Sequence, residues 1–175
     1  MIDTARQRRA QQVEAKYAAD LRRLRQAKED DLQELNERFK VLKNAYNMER
    51  IRIKEDFELR RLNLKTQIEC LRDQRANLRH ALSIDADTTG MGDLDDFTMR
   101  INNLQVELIG IDGRRYAALN NAEAKFNNRC KEIAEERRAI NKHYINEAEK
   151  LHEAYLQHVE QNRQERESEE GGEAV

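Results

Sequence analysis

The side chains best equipped for chemistry lie near the middle of the chain, in the stretch SIDADTTGMGDLDD at 83–96. Asp85, Asp87, Thr89, Asp93 and Asp96 fall at positions 1, 3, 5, 9 and 12 of an EF-hand loop, with Gly90 at position 6. That spacing is the one that wraps oxygen ligands around a calcium ion. Three features count against it: Gly92 stands at position 8, position 12 is Asp instead of a bidentate Glu, and no second loop follows to pair with it. Turn chemistry and helix capping account for the same acids without an ion.

The remaining reactive groups form no constellation. His80, His143, His152 and His158 lack ligand partners at useful spacing, and Cys70 and Cys130 suit neither a disulfide framework nor a zinc site. No phosphate-binding glycine loop, dinucleotide fingerprint or HExxH pair occurs. The chain therefore reads as non-enzymatic, with no cofactor and no small-molecule substrate. Basic clusters at Arg6–Arg9, Leu21–Arg25 and Arg72, Arg75 and Arg79 could grip RNA. Acids interleave with them and the aromatics belong to an apolar seam, so they read as a solvated, ion-paired face. With 32 basic and 34 acidic residues, no whole-chain field draws nucleic acid or an anionic membrane.

The elements that must carry these residues are long helices. Charged residues make up 38% of the chain, aromatics 5%, and proline is absent, where average usage would give about nine. Apolar positions recur at threes and fours through Leu32, Leu35, Phe39, Leu42 and Tyr46, and on through Ile53, Phe57, Leu64, Ile68 and Leu71. A second run passes through Phe97, Ile101, Leu104, Leu108 and Ile111 to Phe126, Ile133, Ile140 and Tyr144. These patterns predict an all-α protein. A first long helix spans 1–82, an acidic glycine-containing tip 83–95, a second long helix 96–166, and a disordered acidic tail 167–175. Irregular steps in the repeat keep the helices nearly straight.

Each helix needs an apolar partner, and a reversal at the tip supplies it. The expected architecture is a long antiparallel two-helix coiled-coil hairpin, packing further into an oligomer or larger assembly. A register in which paired numbers total 179 aligns the seams, with Leu71 facing Leu108, Ile53 facing Phe126 and Leu64 facing Arg115. Residues 1–28 carry excess base and residues 147–175 excess acid, and a hairpin brings those ends together.

Away from the seam runs a thinner stripe: Val41, Met48, Ile51, Leu59 and Leu62 on the first helix, and Val106, Ile109 and Tyr116 on the second. It reads as a docking stripe for another helix, from a second copy or a protein partner. Gly110 and Gly113 beside it mark a bend or a close backbone approach.

The functional expectation is a structural, scaffolding or assembly protein acting through protein–protein contacts, as in a virion or a secretion-type assembly. The alternatives are a helical-hairpin chaperone or adaptor that binds a client at its tip or open end, and an RNA-binding arm. The start of the sequence has no apolar leader, and its longest aliphatic cluster, Val106–Ile111, is too short to span a bilayer. Both point to a cytoplasmic or intracellular place, a virion interior included, without membrane contact.

Overall fold

The structure, a computed structural model, describes residues 2–85 and 91–172. They form two helices, α1 (Ile2–Asp85, 84 residues) and α2 (Met91–Gly172, 82 residues), packed against each other as a hairpin. No proline interrupts either helix. The chain's supply of Glu, Lys, Arg, Leu and Ala keeps propensity favourable throughout. Surface ion pairs three and four residues apart, such as Arg52–Asp56 and Arg129–Glu132, add small increments along each helix.

The helix ends differ from expectation. α1 runs past residue 82 to Asp85. α2 begins at Met91, which puts Asp93 inside its first turn instead of ahead of it. An acid there still meets the positive end of the helix dipole. α2 also continues beyond Arg166 to Gly172, where a disordered tail was expected. Glutamate is a good helix former, and Arg163 ties Glu160 at 3.4 Å to Glu167 at 3.4 Å across that boundary.

The hairpin divides into two compact units. The first comprises residues 1–41 and 129–175. Its contacts between helices pair Tyr17 with Tyr155, Asp31 with Tyr144, Asn36 with Arg137 and Arg38 with Glu136. The partner on α2 falls in number as the residue on α1 rises. Leu35, 2% exposed, is the buried hydrophobic side chain of this unit among the described residues.

The second unit comprises Leu42–Asn128. Here Tyr46 stacks on Phe126, Arg60 pairs with Glu107, and Arg75 donates to Thr98. Its centre is a cluster of Ile68, Leu71 and Ile101, against which Phe97, Leu104 and Leu108 pack. Each such aliphatic side chain taken fully from water contributes about 1.5–3 kcal/mol.

The register is not the one expected. Tyr46 and Phe126 have numbers that total 172, as do Tyr17 and Tyr155 within the other unit. The expected total of 179 had set Ile53 against Phe126. The difference is seven residues, one full repeat of the seam. A whole-repeat slip leaves every seam position on the seam, so periodicity cannot distinguish the two.

Candidate functional site

The tip acids come first. Asp87 and Thr89 lie outside the described residues. Asp85 ends α1, while Asp93 and Asp96 sit in the opening turns of α2, lining an open groove with Leu78, Phe97 and Arg100. A helical Met91–Asp96 takes up the last six of the twelve loop positions, from which an EF-hand draws half of its ligands. Among the described residues, no group of three or more His, Cys, Asp or Glu side chains is arranged to hold a metal ion. Both cysteines are free.

In the first unit, Tyr17 stacks on Tyr155 with ring centroids 4.5 Å apart, and its hydroxyl lies 3.2 Å from His152 Nδ1. An open groove beside them is lined by Val13, Lys16, Leu151 and His158. Lower in the unit, the Tyr144 hydroxyl donates to Asp31 Oδ2 at 2.8 Å. That hydrogen bond, then desolvation, holds the phenol above its ordinary pKa. Arg38 donates to both carboxylate oxygens of Glu136, at 2.7 and 3.1 Å, and the bond followed by the carboxylate's charge raises the guanidinium pKa. The Lys150 ammonium, 2.8 Å from Glu147, bonds to that carboxyl and lowers its pKa.

The outward faces hold the apolar side chains that the seam leaves over. Val41 belongs to the first unit and is exposed there. In the second unit, Met48, Ile51, Leu59 and Leu62 on α1 and Val106, Ile109 and Tyr116 on α2 are exposed, Leu59 and Leu62 at 60% and Ile109 at 80%. Helical geometry explains this. Residues two and five positions along from the seam residue Phe57 point roughly away from it, and Leu59 and Leu62 occupy those positions.

The two outward faces differ in charge. On α1, Arg52 and Glu55 intervene between Ile51 and Leu59. On α2, the positions pointing away from α1 between Met99 and Asn120 carry no charge. Sequence reading stopped at Val106 and missed Met99, an exposed side chain on this same face. The seven-residue steps Met99, Val106, Gly113 and Asn120 were the signal that could have found it.

Gly110 and Gly113 sit within this face and stay helical. Arg114 lies across Gly110, its Nη1 3.3 Å from where a Cβ would stand, and donates through Nη2 to the Glu107 carbonyl at 2.8 Å. At Gly113 nothing lies within 4 Å of such a Cβ. Beside the glycines, Glu107 takes Arg60 at 2.7 Å from across the hairpin. Arg115 pairs with Asp112 at 3.4 Å and rests over the Tyr116 ring.

No helix among the described residues is long and apolar enough to cross a membrane. No family model, no curated protein and no solved structure matches this chain.

Proposed function

We propose that the chain is an antiparallel coiled-coil hairpin that serves as a non-enzymatic structural or scaffolding element of an intracellular assembly, acting by docking other helices on its outward faces. The observation that carries this reading is the second unit's apolar residue set. Its seam buries Leu64, Ile68, Leu71, Ile101 and Ile111, yet Leu59, Leu62, Val106 and Ile109 remain open to water. Large apolar side chains left exposed together on one helix face mark contact with another macromolecule. Nothing in the seam needs these side chains, and their cost in water is recovered when another helix covers them.

A second reading, a hairpin chaperone or adaptor, draws on the groove beside the half-buried Tyr17 and Tyr155 in the first unit, where a client segment could lie.

The test is the size at which the chain migrates in an extract of its native source. The assembly reading expects a complex larger than the free chain, released by Leu59→Glu with Leu62→Glu and unaffected by Tyr17→Ser. Release by Tyr17→Ser alone favours the chaperone reading. Free migration of the unaltered chain overturns both.

A further inference from the structure

The first unit carries two lines of charge that do not face each other within the chain. We propose that they meet between copies: the α1 line of one hairpin lies against the α2 line of the next, with the copies side by side and pointing the same way. The proposal concerns the first unit alone and stands apart from the apolar faces of the second.

Both lines follow from helical geometry. On α1, Arg9, Lys16, Arg23 and Glu34 are spaced seven, seven and eleven residues apart, or two turns, two turns and three. On α2, read backwards, Glu167, Glu160, Glu153 and Lys142 are spaced seven, seven and eleven apart. Each set therefore runs along one side of its helix, and all eight residues are exposed. The α1 line is turned roughly 100° from the seam, because Lys16 stands one residue from Tyr17 at the rim of the groove. The α2 line is turned further, since Glu153 stands two residues from both Leu151 and Tyr155. Neither line is covered by the partner helix.

Two observations select a second copy as the occupant. The first is sign. The α1 line reads base, base, base, acid, and the α2 line reads acid, acid, acid, base. When the helices run antiparallel with paired numbers totalling 176, Arg9 meets Glu167, Lys16 meets Glu160, Arg23 meets Glu153 and Glu34 meets Lys142. The sign reverses at the same level on both lines. A line serving only to attract a polyanion has no use for Glu34, whereas a line fitted to Lys142 requires it. Between these pairs no like charges come level: Gln12 meets Gln164, Asp20 meets Leu156, Ala27 meets Glu149 and Asp30 meets Asn146.

The second is what the lines hold in the single chain. Their ion pairs stay within one helix, Arg23 reaching Asp20 at 3.6 Å while Arg163 is shared by Glu160 and Glu167 at 3.4 Å each. One guanidinium between two carboxylates leaves the α2 line in negative excess, and Asp20 offsets one of the three bases on α1. Within a chain, the stacked Tyr17 and Tyr155 total 172, so a neighbour is displaced by four residues, roughly 6 Å along the axis. Each copy gives its α1 line to one neighbour and its α2 line to another. Such a contact is heterologous and repeats into a row.

The experiment uses the purified full chain at low ionic strength. Light scattering should show mass growing beyond a dimer as concentration rises to roughly 100 µM, the range open to a small polar interface. Salt at about 0.5 M should return it to monomer, because exposed charges are then screened. Lys16→Glu with Arg23→Glu leaves both lines acidic and should weaken association at least about tenfold. Glu153→Lys with Glu160→Lys leaves both basic and should do the same. Mixing the two variants should restore association, which a loss of fold would prevent, and circular dichroism should match the unaltered chain. With Cys70 and Cys130 replaced by Ser, Ala27→Cys chains should form disulfide-linked pairs with Glu149→Cys chains, and neither should link to itself.

A monomer at every concentration in low salt overturns the proposal, and so does a mixture of the two variants that stays monomeric. A monomer that instead binds an RNA oligonucleotide through Lys16 and Arg23 gives the basic line another occupant and overturns it as well. Association that survives salt and both charge reversals but is lost in Leu59→Glu with Leu62→Glu belongs to the second unit. That result overturns this proposal and leaves the assembly reading standing.

Discussion

The two units of the hairpin are built from the same helices but hold them together differently. In Leu42–Asn128, aliphatic side chains do the work: Leu64, Ile68, Leu71, Ile101, Ile111 and Ala122 are all buried. In 1–41 with 129–175, Leu35 is the buried hydrophobic residue among those described, and the helices meet through stacked tyrosines, a phenol on a carboxylate, and a two-pronged arginine–glutamate pair. Aliphatic burial carries no titratable group and is indifferent to proton concentration. Aromatic and charge-assisted contacts are directional and half-wet, and exposed ion pairs add little to stability. The first unit is therefore held in register by specific bonds more than it is stabilised by them.

Ways to break that contrast follow in order of size. Ile68→Ala, at a side chain 4% exposed, should destabilise the second unit by about 2–4 kcal/mol, read as lost amide-exchange protection there. Equal loss in the first unit would show one cooperative block and erase the distinction. Leu35→Ala should cost the first unit about 2–3 kcal/mol, concentrated in its own amides. Tyr17→Leu keeps apolar bulk but removes stacking on Tyr155, and should cost about 0.5–1.5 kcal/mol. Gly113→Ala meets no neighbour and should raise the stability of the free chain by about 0.5–1 kcal/mol, read as a higher melting temperature.

The mildest probe is pH, and it should act on the first unit. The Tyr144 phenol is held above its ordinary pKa by Asp31, so folding favours its neutral form. That contribution is complete below the unfolded value near about 10 and is lost as pH rises through the folded value. Glu147 is held low by Lys150, so its contribution is present above about pH 4.3 and lost as pH falls through the folded value. Ultraviolet titration of the phenol should show a raised midpoint that Asp31→Asn brings down. Tyr144→Phe should remove the alkaline loosening.

Much of the fold was legible because helix and seam are written in local spacing. The absence of proline and the threes and fours from Leu32 to Tyr144 gave two helices and their facing sides, and Ile68, Leu71, Ile101 and Ile111 are buried where the pattern put them. Register was not legible. Phe126 is equally apolar whether it meets Ile53 or Tyr46, and only the stacked rings at 4.3 Å decide between them. The outward residues Met48, Ile51, Leu59, Leu62, Val106, Ile109 and Tyr116 were legible as side chains the seam does not use, and they are exposed. What covers them is a property of another surface, so these residues alone do not state it. Spacing in sequence does not say where a helix begins: α2 begins at Met91, inside the stretch whose acids follow loop spacing, and Asp87 and Thr89 of that set lie outside the described residues.

The thinness of the core also sets how the molecule responds to temperature. Most seam residues, Tyr46, Phe57, Phe97, Phe126 and Ile133 among them, are only half-buried, so unfolding hydrates little additional apolar surface. The rise in heat capacity on unfolding scales with that surface, and so does sensitivity to denaturant. Stability should therefore change gently from cold to warm, along a curve much flatter than that of a globular domain of equal length.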